Sequence, residues 1–253
     1  MKNIVAVIPV HGRRSLVKYT IERLLKKNGC SAVICVGDNA EDQITCTKAG
    51  AMWVQFANQP LGAKWNAGFV AARNLAPDGV LFVGSSDWVS DNWLSMADLL
   101  DKYDLIGKPD FYLLDISNGN KRMCHWPGYT GPREGEPIGI GRIISARVLE
   151  KIGWKPFDDY AIKSMDHTMY KKIEEHGKIC CVELGKYKSL SISTNAWPNM
   201  HKFEDHWNGK LESTVIENVD EFLEAFPEAH ELNLKPEVEP IHLVRPSKLT
   251  KRR

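Results

Sequence analysis

Ile4-Val5-Ala6-Val7-Ile8-Pro9-Val10 is a continuous apolar run closed by Gly12. Side chains alternate across a strand, so a run that is apolar at every position has two faces to bury. Such a strand belongs in the middle of a parallel sheet covered by helices on both sides. The chain that follows keeps the rhythm this sheet needs. Val17, Ile21, Leu24 and Leu25 share one helical face, with Ser15 as the expected cap and Gly29 as the stop. Ala32 to Val36 reads as a second buried strand ending at Gly37 and Asp38, Asp42 to Ala49 as a weak helix, and Met52 to Phe56 as a third strand. A helix from about Ala63 to Leu75, with Trp65, Phe69, Ala72 and Ala76 on one stripe, precedes the strand Val80 to Val83 and the polar Gly84-Ser85-Ser86-Asp87. Strand and helix alternating in this way predict an α/β fold with a mostly parallel sheet flanked by helices.

The second half is less regular. Asp91 is placed to cap a helix carrying Trp93, Met96, Ala97 and Leu100, and Phe111 to Ile116 reads as a strand. From Ser117 to Gly141 the chain is rich in glycine and proline and holds Trp126 and Tyr129, the texture of a long irregular binding loop. Ser145 caps a short helix through Val148, Leu149 and Ile152. Another helix from about Ser164 to Glu175 turns Ile162, Met165, Met169 and Ile173 inward, stops at Gly177 and leads to a strand from Ile179 to Leu184. These elements predict one domain over residues 1–215, with a nucleotide-binding half to about 105 and an acceptor half after it. A C-terminal extension, 216–253, would carry the amphipathic Val219, Phe222, Leu223 and Phe226 and a basic tail from Arg245 to Arg253.

Composition narrows the function. The 253 residues, 43% of them apolar, suffice for one core. The 33 basic and 32 acidic side chains leave a net charge of +1, so any polyanion must be held by a local patch. Six cysteines show no paired metal or redox spacing, and Cys180 and Cys181 are neighbours, which fits a reducing cytoplasm. No apolar stretch approaches the roughly 18 residues of a membrane span, so the expectation is a soluble protein. In an open parallel sheet ligands bind beyond the carboxyl ends of the strands, where Pro9 to Arg13, Gly37 to Asn39 and Gly84 to Asp87 should converge. None of these is a dinucleotide or Walker phosphate loop.

Val5-Ala6-Val7-Ile8-Pro9-Val10-His11-Gly12-Arg13 resembles the opening strand and loop of family 2 glycosyltransferases, and Val33-Ile34-Cys35-Val36-Gly37-Asp38-Asn39 their second strand with its base-reading aspartate. Gln59-Pro60-Leu61-Gly62-Ala63-Lys64-Trp65-Asn66-Ala67-Gly68 resembles the loop and helix before the strand that ends in the family's DXD motif, here Leu81-Phe82-Val83-Gly84-Ser85-Ser86-Asp87-Trp88. Gly141-Arg142-Ile143-Ile144-Ser145 with the following helix resembles the segment ahead of the catalytic acidic helix, and Met165-Asp166 stands where that helix has Glu-Asp. The likeness runs over about residues 4 to 184, in the family's order.

The resemblance implies a GT-A fold glycosyltransferase, hexosyl or pentosyl and inverting, that uses a nucleoside diphosphate sugar, UDP-linked in the family's manner. It implies Asp166 as the catalytic base, and Pro9, Val10, His11, Arg13, Asp38, Lys64, Ser86, Asp87 and Arg142 as the donor site. Lys64 and Arg142 would set positive charge against the leaving diphosphate. A divalent ion, manganese or magnesium, would take Asp87, although Gly84 and Ser86 replace two of the DXD carboxylates. Apart from the resemblance, His201 and His206, four apart, are the candidate histidines to complete its shell, His201 first. Trp126 and Tyr129 are the candidate acceptor contacts. Acceptors consistent with this reading are a hydroxymethylated pyrimidine in bacteriophage DNA, a glycan or a small molecule. A sugar-nucleotide nucleotidyltransferase and a non-catalytic nucleotide-sugar-binding module are the alternatives from other classes.

Overall fold

A computed structural model of the chain describes residues 1–116, 121–162, 165–183, 185–193, 203–230 and 232. The first half alternates as β1 (Ile4–Pro9), α1 (Arg14–Arg23), β2 (Ala32–Gly37), α2 (Ala40–Lys48), β3 (Met52–Gln55), α3 (Leu61–Arg73) and β4 (Gly79–Phe82). The short β5 (Asp87–Val89), a 3-10 helix over Trp93–Asp101, β6 (Leu105–Gly107), β7 (Phe111–Asp115) and β8 (Arg122–Trp126) follow. Then come β9 (Arg142–Ser145), α4 (Ala146–Lys151), α5 (Met165–Glu174), β10 (Ile179–Cys181), β11 (Ser189–Ser193), α6 (Phe203–Trp207), β12 (Thr214–Ile216) and α7 (Val219–Leu223).

Seven strands form the main sheet in the order β10-β6-β9-β4-β1-β2-β3. β1 lies parallel to β2 and β4, β2 to β3 and β6 to β10, while β9 runs antiparallel between β4 and β6. The opening run therefore occupies the place its pattern predicts. Ala6 and Ile8 pack with Val17, Ile21, Trp93 and Met96 on one face, and Val5 and Val7 with Phe69, Ala72, Met169 and Ile173 on the other. Each such fully buried large apolar side chain contributes about 1.5–3 kcal/mol relative to exposure.

A second sheet of five strands, β12-β8-β7-β11-β5, is absent from the sequence expectations. It is antiparallel except between β7 and β11. β8 crosses the segment expected to be irregular. One face of this sheet carries Leu114, Met123, Leu190 and Ile192 against Trp88, Phe222, Leu223 and Phe226. The apolar residues after 216 are thus part of a core. They are also tied to α1: the buried Arg23 guanidinium lies 5.0 Å over the Phe226 ring and pairs with Asp91 and Glu228.

Local expectations fail where long-range contacts compete. Asp91 caps no helix, because Arg23 claims its carboxylate, and the residue before the 3-10 helix is Asn92. Ser15 lies inside α1, whose N-cap is Arg13 in the left-handed region. Ile162 is 63% exposed rather than inward. Ser145 does cap α4, accepting from the Val148 N–H, and Gly29 does close the first helical segment at φ 81°. All six cysteines are free. Among the described residues no helix is long and apolar enough to cross a membrane.

Candidate active site

A cleft of about 250 Å³ opens where the carboxyl ends of β1 and β4 meet β8, the segment before β9 and the start of α5. Pro9, Arg13, Ser86 and Asp87 line it from the strand ends. Trp126, Tyr129 and Asp166 line it from the other side. The cleft therefore gathers expected donor, acceptor and catalytic residues from segments far apart in sequence.

The strand-end wall is built around a turn. The Asp87 carboxylate accepts the Gly84 N–H at 3.0 Å and the Ser191 hydroxyl at 2.8 Å, and the Asp87 N–H returns to the Gly84 carbonyl. A Cβ on Gly84 would stand 2.5 Å from Asp87 Oδ2, so the carboxylate occupies the space that a side chain at 84 would need. Across this turn the Arg13 guanidinium donates to Ser86 Oγ at 2.7 Å. Burial pulls the Arg13 pKa down while the Asp87 charge opposes it. Arg13 has a left-handed backbone, φ 54° and ψ 39°, a conformation costing a non-glycine residue about 1–3 kcal/mol and common at functional sites.

On the opposite wall Asp166 sits in the first turn of α5, its carboxylate against the backbone of Gly139, where a Cβ would lie 2.5 Å from Oδ2. Trp126 and Tyr129 meet edge to face at 5.0 Å, and Arg133 stacks 3.4 Å over the Tyr129 ring. The Tyr129 phenol is pushed up by burial and by the negative charge of Asp166. Behind this surface Glu136 is the hub. It accepts both Arg133 Nε and Nη2, the His167 ring and Arg142 Nη2. Burial pushes the Glu136 carboxyl upward, but the hydrogen bonds from Arg133 and His167, with the Arg142 charge, hold it below its ordinary value.

Several expected donor residues have other positions. Arg142 is fully buried and donates to the carbonyls of Ile138, Asp166 and Pro137 as well as to Glu136. It braces Asp166 from behind and is not among the residues that line the cleft. Lys64 is buried and donates to the Val10 carbonyl at 2.6 Å and to Asn58 Oδ1 at 2.8 Å. Burial lowers its pKa to about 8, against the opposing charges of Asp38 and Asp42. Lys64 thus ties the loop after β1 to the loop before α3, while Val10 is a buried core residue that supplies a carbonyl. Asp38 and His11 are exposed outside the cleft lining, Asp38 accepting the Asn58 N–H at 3.0 Å. His201 lies outside the described residues, as does the basic tail.

The residues at the β4 end do not fit a protein-held divalent ion. Magnesium and manganese favour several hard oxygen ligands. Here Asp87 is the single carboxylate of the turn and both its oxygens already accept hydrogen bonds. Among the described residues no group of three or more His, Cys, Asp or Glu side chains is placed to hold a metal.

No protein-family model matches the sequence, and no curated protein matches it either. Solved structures match in fold. Residues 1–349 of TarS from S. aureus, a GT-A fold glycosyltransferase, give a TM-score of 0.55 at 14% identity, over 75% of this chain and 60% of that one. The chain therefore spans less than two thirds of that structure. Glucosyl-3-phosphoglycerate synthase from Mycobacterium tuberculosis, in complex with Mn2+, UDP and glucosyl-3-phosphoglycerate, gives 0.44 at 11% identity, over 72% of this chain and 70% of that one. A CMP:2-keto-3-deoxy-manno-octonic acid synthetase in complex with CTP gives 0.43 at 13% identity, over 72% and 90%. With its largely parallel central sheet flanked by helices, the chain has the GT-A fold.

Proposed function

We propose that the chain is a glycosyltransferase that moves a sugar from a nucleoside diphosphate sugar, UDP-linked, to an acceptor hydroxyl. The observation that carries this reading is the opposition of the two walls of the cleft: a guanidinium and serine hydroxyls at the strand ends, a carboxylate and two aromatic rings across from them. A nucleoside diphosphate sugar needs positive charge at its diphosphate and a proton acceptor on the acceptor side of its anomeric carbon.

In this reading the acceptor oxygen attacks the anomeric carbon as the bond from that carbon to the diphosphate oxygen breaks. The electron pair leaves with the diphosphate, and the hydroxyl proton passes to the Asp166 carboxylate. Inversion at the anomeric carbon follows from the single displacement. Asp38, at the end of β2, serves the uracil ring N–H, and Trp126 with Tyr129 supplies a surface on which a sugar or a flat base can stack. For the acceptor we propose a hydroxymethylated pyrimidine in DNA, turned out of the duplex to reach the cleft.

Melting curves with UDP-glucose, UDP-galactose, UDP-N-acetylglucosamine and GDP-mannose test the donor class, since a ligand that binds only the folded state raises stability by mass action. Stabilisation by at least one UDP-sugar, reduced by about 1–3 kcal/mol of binding free energy in Asp38→Ala, is expected. Equal indifference to every nucleotide sugar rules the donor site out. Sugar incorporation into hydroxymethylcytosine-containing duplex, with unmodified duplex and a free oligosaccharide as the other acceptors, tests the acceptor. Labelling of the oligosaccharide alone replaces DNA with a glycan.

A further inference from the structure

The DXD position is reorganised rather than merely stripped of ligands. Asp87 folds back over Gly84, so an acidic side chain at 84 has no room beside it, and Ser191 holds its other oxygen from β11. Where a carboxylate pair would stand, the cleft is lined by Asp87 alone, with the Arg13 guanidinium reaching across from the loop after β1 to the Ser86 hydroxyl at 2.7 Å. A guanidinium carries a permanent charge and presents donors in a planar fork that matches phosphate oxygens. A serine hydroxyl that accepts from it keeps its own O–H to donate.

We infer that Arg13 and Ser86 form a seat for the donor's diphosphate in which the guanidinium takes the place a divalent cation holds in DXD enzymes, so that the nucleoside diphosphate binds without metal. This rests on the nucleotide-sugar reading above and specifies its cofactor requirement. The role assigned to Asp87 changes sign with it. In a metal site this carboxylate attracts the ion that binds the diphosphate, whereas beside Arg13 it offsets part of the positive charge that the diphosphate meets. Asparagine at 87 retains an oxygen for the Gly84 N–H and an amide for Ser191, so the turn survives while the charge is removed.

The test is calorimetric titration of the full chain with uridine and with UDP, in excess chelator and in manganese, repeated for Arg13→Gln, Arg13→Lys and Asp87→Asn. In chelator UDP should bind about tenfold or more tighter than uridine, the scale of one or two charge-assisted hydrogen bonds. Manganese should change that ratio by less than about twofold. Arg13→Gln should abolish the advantage of UDP, Arg13→Lys should restore part of it, and Asp87→Asn should tighten UDP several-fold. A diphosphate advantage that appears only with manganese and vanishes in Asp87→Asn overturns the seat while leaving the nucleotide site standing. If uridine, UDP, GDP, CDP and ADP all fail to bind in either condition, the nucleotide-sugar reading falls and the seat with it. If another nucleoside diphosphate binds in place of UDP, the seat stands only where that diphosphate outbinds its own nucleoside in chelator, and falls where it does not.

Discussion

The two walls of the cleft use the same pair of side chains in opposite ways. At the strand ends the arginine, Arg13, is presented to the cleft, and the aspartate, Asp87, is held by Gly84 and Ser191 as a brace. Across from it the aspartate, Asp166, is presented, and the arginine, Arg142, is buried as the brace, bound to three carbonyls and to Glu136. Each brace satisfies backbone groups that would otherwise be orphaned near a polar cleft, and each leaves a charge of one sign facing the space between. Residue type alone does not tell a presented charge from a braced one. The groups that each side chain holds in place do.

The strongest test of this contrast replaces the two aspartates one at a time. Asp166→Asn should lower turnover by about 10² to 10⁴, the usual contribution of a general base, with donor affinity within about threefold. Asp87→Asn should leave proton transfer to Asp166 in place, so turnover at saturating donor should fall far less. Turnover and melting temperature measured on the same preparations decide it. If Asp166 only compensates the dipole at the start of α5, its replacement costs about 0.3–1 kcal/mol of stability and turnover is nearly intact. Such a result removes the mechanism proposed here.

The arginines give the second test, in stability. Arg142 is fully buried and satisfies three carbonyls, so Arg142→Met should cost about 3–5 kcal/mol, mainly through those orphaned carbonyls, while Glu136 keeps Arg133 and His167. Arg13→Gln should cost less, because Arg13 lines the open cleft, where water can solvate Ser86 and Asp87 once the guanidinium is gone. Urea denaturation of both variants reads the difference. Equal losses would mean that Arg13 is a brace as well, and the contrast between the walls would collapse.

How far these roles were legible in the sequence follows from the range of the contacts that create them. β1 was readable because its run is apolar at every position, and strand ends in a parallel sheet converge whatever their side chains are. That is why Pro9, Arg13, Ser86 and Asp87 were found together. The second sheet was not readable. β5 and β12 span three residues each and β8 lies among glycines and prolines, although the alternation Ser189-Leu190-Ser191-Ile192-Ser193 is the period-2 signal of β11 and could have been used. The bracing contacts of Arg142 were not legible, because a buried arginine and a ligand-facing one look alike until the carbonyls around them are placed. Glu136, the hub behind Asp166, was missed for the same reason: its partners Arg133, Arg142 and His167 come from three separate segments.

The smallest expected effect concerns the two glycines that the carboxylates lie against. A methyl group at Gly139 would meet Asp166 Oδ2 at 2.5 Å, the far end of a side chain presented to the cleft, which can swing aside at little cost. Gly139→Ala should therefore leave stability within about 0.5 kcal/mol but move the base, and a displacement near 1 Å lowers turnover by up to about 100-fold. A methyl group at Gly84 meets Asp87 Oδ2, which is pinned by a backbone N–H, so Gly84→Ala should break that bond at about 0.5–1.5 kcal/mol of stability and leave the Asp166 step alone. Turnover at saturating substrates and urea denaturation of both variants distinguish them: turnover should fall in Gly139→Ala and hold in Gly84→Ala, while stability should fall only in Gly84→Ala. Intact turnover in Gly139→Ala would show that the contact with Gly139 does not position the carboxylate, and Asp166 would have to be held by Arg142 through its backbone alone.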